Sequence, residues 1–255
     1  MSTGIDKPHT PVFPGSSSDD VAAIGACGTP AITALFVSMA QRHPEGADAQ
    51  YLQWHTLDHR PEQQRLARIK TSLRVVSTPA CRDARAACAP EFESVDHVMT
   101  YLFTALEGLD DFNTLSSALR DAGRAPFILP PVQRGVYAVG EKCTAPHMKL
   151  GSDVLPWMPT RGLYLLIERG CATASTLTEV EGIAGIWSGS SLATPFSSAG
   201  EGQQITYCFL DDDPLVTARR LRAVLAARWQ SGQIAPLFAA PFYTVVPYEW
   251  DRYLP

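Results

Sequence analysis

The chain lacks several things that would place it quickly. It has no apolar run longer than a strand-sized stretch such as "GLYLLI", so no segment is expected to span a bilayer. It has no Lys/Arg-rich block, and its net charge of −5 with a pI near 5.7 excludes the basic footprint of a nucleic-acid binder. Only 18% of residues are charged, while 45% are hydrophobic, a composition that builds a core instead of a disordered chain. There is no CxxC pair, no Walker A, no GxSxG and no GxGxxG; the glycines of "GIAGIWSG" fall before and within a strand, which disfavours a dinucleotide site. The opening "MSTGIDKPHTPVFPGSSSDD" has no basic stretch followed by an apolar one and does not read as a secretory signal. Six scattered cysteines (Cys27, Cys81, Cys88, Cys143, Cys171 and Cys208) then read as reduced thiols of a cytoplasmic protein.

What is present is a repeated grammar. Residues 1–28, rich in Pro, Ser, Gly and Asp, read as a flexible arm or strap. Residues 29–145 then give a strand over 30–40, a helix over 48–59 with Asp48 as N-cap, and a new helix from Pro61, which cannot sit inside the first. Strands "TSLRVVS" and "HVMTYLFTAL", a helix ending before Gly123, and strand "RGVYAVGEK" complete a β-α-β-β-α-β unit. After a linker at 146–160, residues 161–255 repeat the order. They comprise "RGLYLLIER", a short helical stretch over 173–183, "AGIWSGSSLA", "QQITYCFLD", a long helix capped by Asp213 with Pro214 at its first position, and "APFYTVVPYEW". "TYLF" (100–103) and "TYCF" (206–209) both run into an acidic cluster and a long helix, the mark of two fused copies. The expected class is therefore α+β: two ferredoxin-like βαββαβ repeats whose antiparallel sheets pack their bare faces together into an intramolecular α/β barrel.

One segment, "YLQWHTLDHRPEQ" (51–63), has no counterpart in the second half, where "LTEVEGIAGIW" carries no histidine. His55 and His59 stand four apart and project from one helix face. Three readings follow. In the first, Asp58 or His59 caps the next helix and Trp54 fills the core with its indole N–H bonded, so the segment is a junction. In the second, His55 or His59 with Asp58 moves protons in a barrel mouth lined by Tyr51 and Trp54. In the third, the two imidazoles bind zinc; but "HTLDH" lacks the glutamate of HExxH and no third ligand is near, so no metal is expected. The packing account comes first, acid–base chemistry second. The run "LDDDP" (210–214) is read as a helix cap instead of a cation site, and His43, His97 and His147 as turn or strand-end residues.

The segment, the strand grammar and the tandem arrangement together resemble the dimeric α/β-barrel superfamily, and within it the EthD-like proteins, over most of residues 30–250. That resemblance implies a range of activities, including monooxygenases, polyketide cyclases and muconolactone isomerases, so the fold decides no reaction. The haem enzymes of similar tandem folds would be expected to place a ligand in the second half. All six histidines here precede residue 148 and no GxxDG is present, so no cofactor is expected. The expectation is a cofactor-free enzyme on a small apolar or aromatic molecule, with catalytic candidates His55, Asp58 and His59 and binding candidates Tyr51 and Trp54. The alternative is a non-catalytic binding or interaction protein with a filled barrel, for which self-association is an open partner class.

Overall fold

In β1 (Ala34–Ala40) Leu35, Val37 and Met39 join one buried cluster and Phe36 another, because successive strand side chains leave opposite faces. The computed structural model describes residues 13–28, 31–170 and 173–253. Residues 1–12 of the expected arm, Pro30 of the expected first strand, and Cys171 lie outside them. In chain order the elements begin with a 3₁₀ turn (Ser18–Asp20), α1 (Ala22–Gly25), β1, α2 (Asp48–Trp54), a π-helical segment (His55–His59) and α3 (Arg60–Gln63). Next come β2 (Ile69–Val76), α4 (Pro79–Asp83), β3 (Ala87–Cys88), β4 (His97–Phe103), α5 (Gly108–Asp121) and β5 (Pro131–Thr144). The rest comprises β6 (Gly162–Arg169), a 3₁₀ segment (Ser175–Glu179), β7 (Ile183–Ser191), β8 (Gln203–Leu210), α6 (Pro214–Gln230) and β9 (Ala235–Thr244).

All strand pairings are antiparallel, in the order β2-β4-β1-β5-β7-β8-β6-β9 with the two-residue β3 outside β9. Within residues 34–144 and again within 162–244, the second main strand is followed in space by the third, the first and the fourth. β5 pairs with β7 between the halves, and β9 pairs with β2 through Val75↔Thr244 and Val76↔Tyr243, so the order returns to its starting strand. The result is an α+β fold with one large antiparallel sheet, consistent with a ferredoxin-like barrel.

The inner faces meet in a solid core. Leu35, Val37 and Leu102 from the first half pack with Leu165, Trp187 and Phe209 from the second. Thr100 Oγ1 and Tyr207 OH, 2.7 Å apart, share a hydrogen bond inside it. On the outer face of the second half, Leu221 and Leu225 of α6 close over Tyr164, Leu166, Ile186 and Cys208. Asp213 caps α6 by accepting from the Leu215 and Val216 amides, with Pro214 next, as its sequence predicts.

Three expectations need correcting. The helical stretch at 173–183 forms only the 3₁₀ segment; Thr178 Oγ1 donates to the Ser175 carbonyl, a local bond that competes with a longer helix. The last strand is not 240–250: it begins at Ala235, in register with Arg169 of β6, and stops at Thr244 before Pro247. Asp48 does not cap α2. Ala47 holds that position without a side-chain bond, and Asp48 turns inward to the His43 amide and to His97.

Candidate functional site

Pro61 does not end the helix. His55, His59 and Arg60 all keep right-handed helical dihedrals, and the Arg60 amide donates to the His55 carbonyl five residues back. A proline ring crowds the carbonyl four residues before it, here that of Leu57, and supplies no N–H. Widening the preceding turn to π geometry relieves that crowding without breaking the chain direction. The expected helix–turn–helix junction is thus one bent helical run. Neither Asp58 nor His59 caps α3. Asp58 instead accepts from Arg124, which also pairs with Glu62. Arg124 stands just beyond α5, where Gly123 at φ +72 and the Arg124 amide bonded to the Leu119 carbonyl form the helix stop. Leu57, within the π segment, is 45% exposed.

A cavity of about 570 Å³ lies on the outer face of the first half's sheet, under the helices. The sheet contributes Phe36, Ser38, Met99 and Tyr101; the bent run contributes Tyr51, Trp54, His55 and His59; α5 contributes Phe112 and Ser116. The expected barrel-mouth setting is not found, because the space between the inner faces is filled. On the sheet side the small side chain of Ser38 helps leave the cavity open, whereas on the corresponding face of the second half Tyr164 and Leu166 are buried under α6.

The structure brings four of the five candidate residues together here. His55 is 5% exposed, with its ring centroid 5.6 Å from Tyr51 and 5.4 Å from His59. Burial, reinforced by the Arg74 charge, pushes its imidazole well below the ordinary histidine range. Burial also lowers His59, although Asp58 pulls it back upward. Both rings are therefore neutral at neutral pH, each able to donate from one nitrogen and accept at the other. Trp54 stacks on His59 at 4.9 Å, and its indole N–H has no partner, contrary to expectation, because that packing offers no acceptor. His55 Nδ1, His59 Nδ1 and the Tyr101 hydroxyl are likewise enclosed and unpaired. Asp58 does not line the cavity; Arg124 holds its carboxylate to the side.

Behind this wall runs a buried polar chain that the sequence reading missed. Arg74 donates to Tyr51 OH at 2.9 Å and to His97 Nδ1 at 3.1 Å, and its guanidinium lies 4.6 Å from the Tyr51 ring centre. His97 Nδ1 must then accept, so the Nε2–H donates to Asp48 at 2.7 Å. Burial, outweighing the Asp48 bond, pushes His97 down to about 4, so it relays between the two charges as a neutral ring. Because Arg74 occupies the Tyr51 oxygen as a donor, the Tyr51 proton is left for another acceptor. One signal could have found this chain: Arg74 is a lone charge inside the apolar strand "TSLRVVS", and a buried cation demands partners.

Among the described residues no three His, Cys, Asp or Glu side chains gather as a metal group, and no helix is long and apolar enough to cross a membrane. In the second half the space between sheet and α6 is packed with fully buried side chains and holds no imidazole. Those residues do not fit a haem.

No family model matches the sequence, and no curated protein matches it. Solved structures do share the fold. A proposed monooxygenase of Fusobacterium nucleatum aligns with a TM-score of 0.52 at 8% identity, over 86% of this chain and 94% of that one. A proposed chlorite dismutase aligns with a TM-score of 0.53 at 12% identity, over 88% and 100% of the two chains. The chlorite dismutase of Candidatus Nitrospira defluvii aligns at 0.51 and 10% identity, over 89% and 95%. These neighbours belong to the dimeric α/β-barrel, ferredoxin-like superfamily; at such identities the likeness shows the fold alone.

Proposed function

We propose that this chain is a tandem ferredoxin-like protein of the EthD-like type, with repeats at 29–145 and 161–255 closing an intramolecular α/β barrel. We further propose that the first-half cavity is its working site, taking a small, mostly aromatic molecule. One observation carries this reading: the half that holds two neutral imidazoles has a cavity beside them, and the half without them is solid. An apolar pocket with a few convergent polar groups is what a small-molecule site requires.

The chemistry that fits is proton transfer without a cofactor. His55 or His59 removes a proton from a carbon next to a carbonyl, leaving an enolate. The Tyr101 O–H or Trp54 N–H hydrogen-bonds the oxyanion. Return of the proton to another carbon completes an isomerisation; attack of the enolate carbon on a second carbonyl of the same molecule, whose C=O π electrons become an alkoxide that takes the proton back from the imidazolium, completes an aldol cyclisation. Addition of dioxygen to the carbanion, with the proton returned from the imidazolium, gives instead a hydroperoxide, which loses water to leave a new carbonyl; that monooxygenase-type outcome is compatible with the Fusobacterium neighbour. A second reading, a binding protein without turnover, is favoured by one fact: no carboxylate lines the cavity to orient either imidazole.

A thermal-shift screen over aromatic and polyketide-like compounds tests the site, since a bound molecule raises apparent stability by mass action. His55→Ala and His59→Ala, made singly, keep the folded structure and abolish turnover of any hit in the enzyme reading. They keep binding and change no turnover in the other. Absence of any hit rejects both.

A further inference from the structure

We propose that the ligand of this cavity is an acid: an aromatic body enters under the helices and an anionic group stays at the rim, held by Arg120 and Arg134. The inference rests on the cavity reading above and adds the substrate class.

Both arginines line the cavity and both are exposed, which places them at its opening. Among the described residues no Asp or Glu lines it. Neither arginine side chain makes an ion pair or a hydrogen bond among the described residues. Exposed arginines without an ion pair occur elsewhere too, as at Arg169, Arg219 and Arg222, but only Arg120 and Arg134 line this cavity. A chain of net charge −5 repels anions at a distance, so a carboxylate-free rim with two cations is a local reversal of sign.

The two cations are also anchored from below. Arg120 is in the last turn of α5, whose end is fixed by the Gly123 stop, with the Gly123 amide on the Arg120 carbonyl. Arg134 is in β5, its amide bonded to Ser198 Oγ and its carbonyl accepting from the Ser198 amide at 2.7 Å. A cation suits a helix C-terminus through the dipole, and that accounts for Arg120 in part. It gives no account of Arg134, which comes from strand β5. Guanidinium groups match carboxylates and phosphates by paired N–H donors, so a planar acid is the natural guest.

The test uses matched probes: benzoate, 2-naphthoate and anthraquinone-2-carboxylate, each against its own primary amide, titrated calorimetrically into the full chain. The acid is expected to bind roughly fivefold to tenfold more tightly than the amide, the advantage of two exposed ion contacts. In Arg120→Gln/Arg134→Gln that preference disappears, while amide affinity stays within about twofold. Equal binding of acid and amide to the natural chain overturns the inference and leaves the cavity reading standing. A preference that survives in the double variant also overturns it. Failure of every acid and every amide to bind overturns the cavity reading itself.

Discussion

Tyr101 is a phenol at the sheet side of the cavity whose hydroxyl bonds to nothing in the protein. Burial pushes its pKa well above the ordinary tyrosine range, so at neutral pH it is a protonated donor. An unpaired buried hydroxyl costs about 1–3 kcal/mol. Tyr101→Phe should therefore leave the melting temperature unchanged or raise it, by up to about 1 kcal/mol in stability. Ligand affinity should fall by about tenfold if the hydroxyl meets an oxygen of the guest. Calorimetric melting and titration of the same sample check both signs. The behaviour of His97 gives a pH prediction. Its folded-state pKa, about 4, lies below the ordinary 6.5, so between those values the unfolded chain binds the proton more readily. Stability is then full above pH 6.5 and declines as pH falls toward 4, at about 1.4 kcal/mol per tenfold difference in proton affinity. His55 and His59 act in the same direction. His97→Gln should lower stability at neutral pH, since Asp48 and Arg74 lose their relay, and should flatten the slope across that window. Chemical denaturation at a series of pH values reads both. At this scale the sequence revealed Tyr51, Trp54, His55 and His59, because their spacing on one helix is local information. Asp48, Arg74 and His97 meet only through tertiary pairing of α2, β2 and β4, and no local pattern encodes that.

The bent run from Asp48 to Gln63 is the element that sets the site. Its π turn follows from Pro61 and brings the His55 and His59 rings to 5.4 Å. Pro61→Ala restores an amide and removes the crowding of the Leu57 carbonyl, so the turn can tighten to ordinary α geometry. Stability should change by less than about 1 kcal/mol, because the lost constraint and the gained helix propensity oppose each other. Ligand affinity should drop severalfold as the imidazoles shift around the axis. Unchanged affinity in P61A would mean that the π turn does not position the rings. The sequence marked the right place and the wrong geometry here: proline announces a conflict, and tertiary packing decides whether the chain breaks or bulges. The capping of α6 by Asp213 was legible because it needs only neighbouring residues. The failure of 173–183 to make a full helix was not, since a Ser/Thr-rich stretch offers several competing local bonds and the pattern does not say that the Thr178–Ser175 one forms.

For the whole molecule, the sequence pattern foretold an α+β fold with antiparallel strands, because alternating apolar stretches and turn signals recur along the chain. It did not foretell where the cavity would lie. That depends on which side chains the sheet and the covering helices set against each other, as Ser38 and Ser116 do at the cavity. Closure is also uneven. β5 meets β7 over six residue pairs and β9 meets β2 over two. Local openings follow sparse hydrogen bonding, so in native-state hydrogen exchange residues 75–76 and 243–244 should lose protection before the β6–β8 ladder, by at least about tenfold in rate. The central claim is that the first-half cavity is a binding site. The most direct measurement is calorimetric titration of the best-binding aromatic probe into the natural chain and into Ser38→Phe/Ser116→Phe, which fills the cavity from sheet and helix. The account predicts saturable one-to-one binding to the first, and none to the second, with both giving the same circular dichroism spectrum. Equal binding to the filled variant would contradict it.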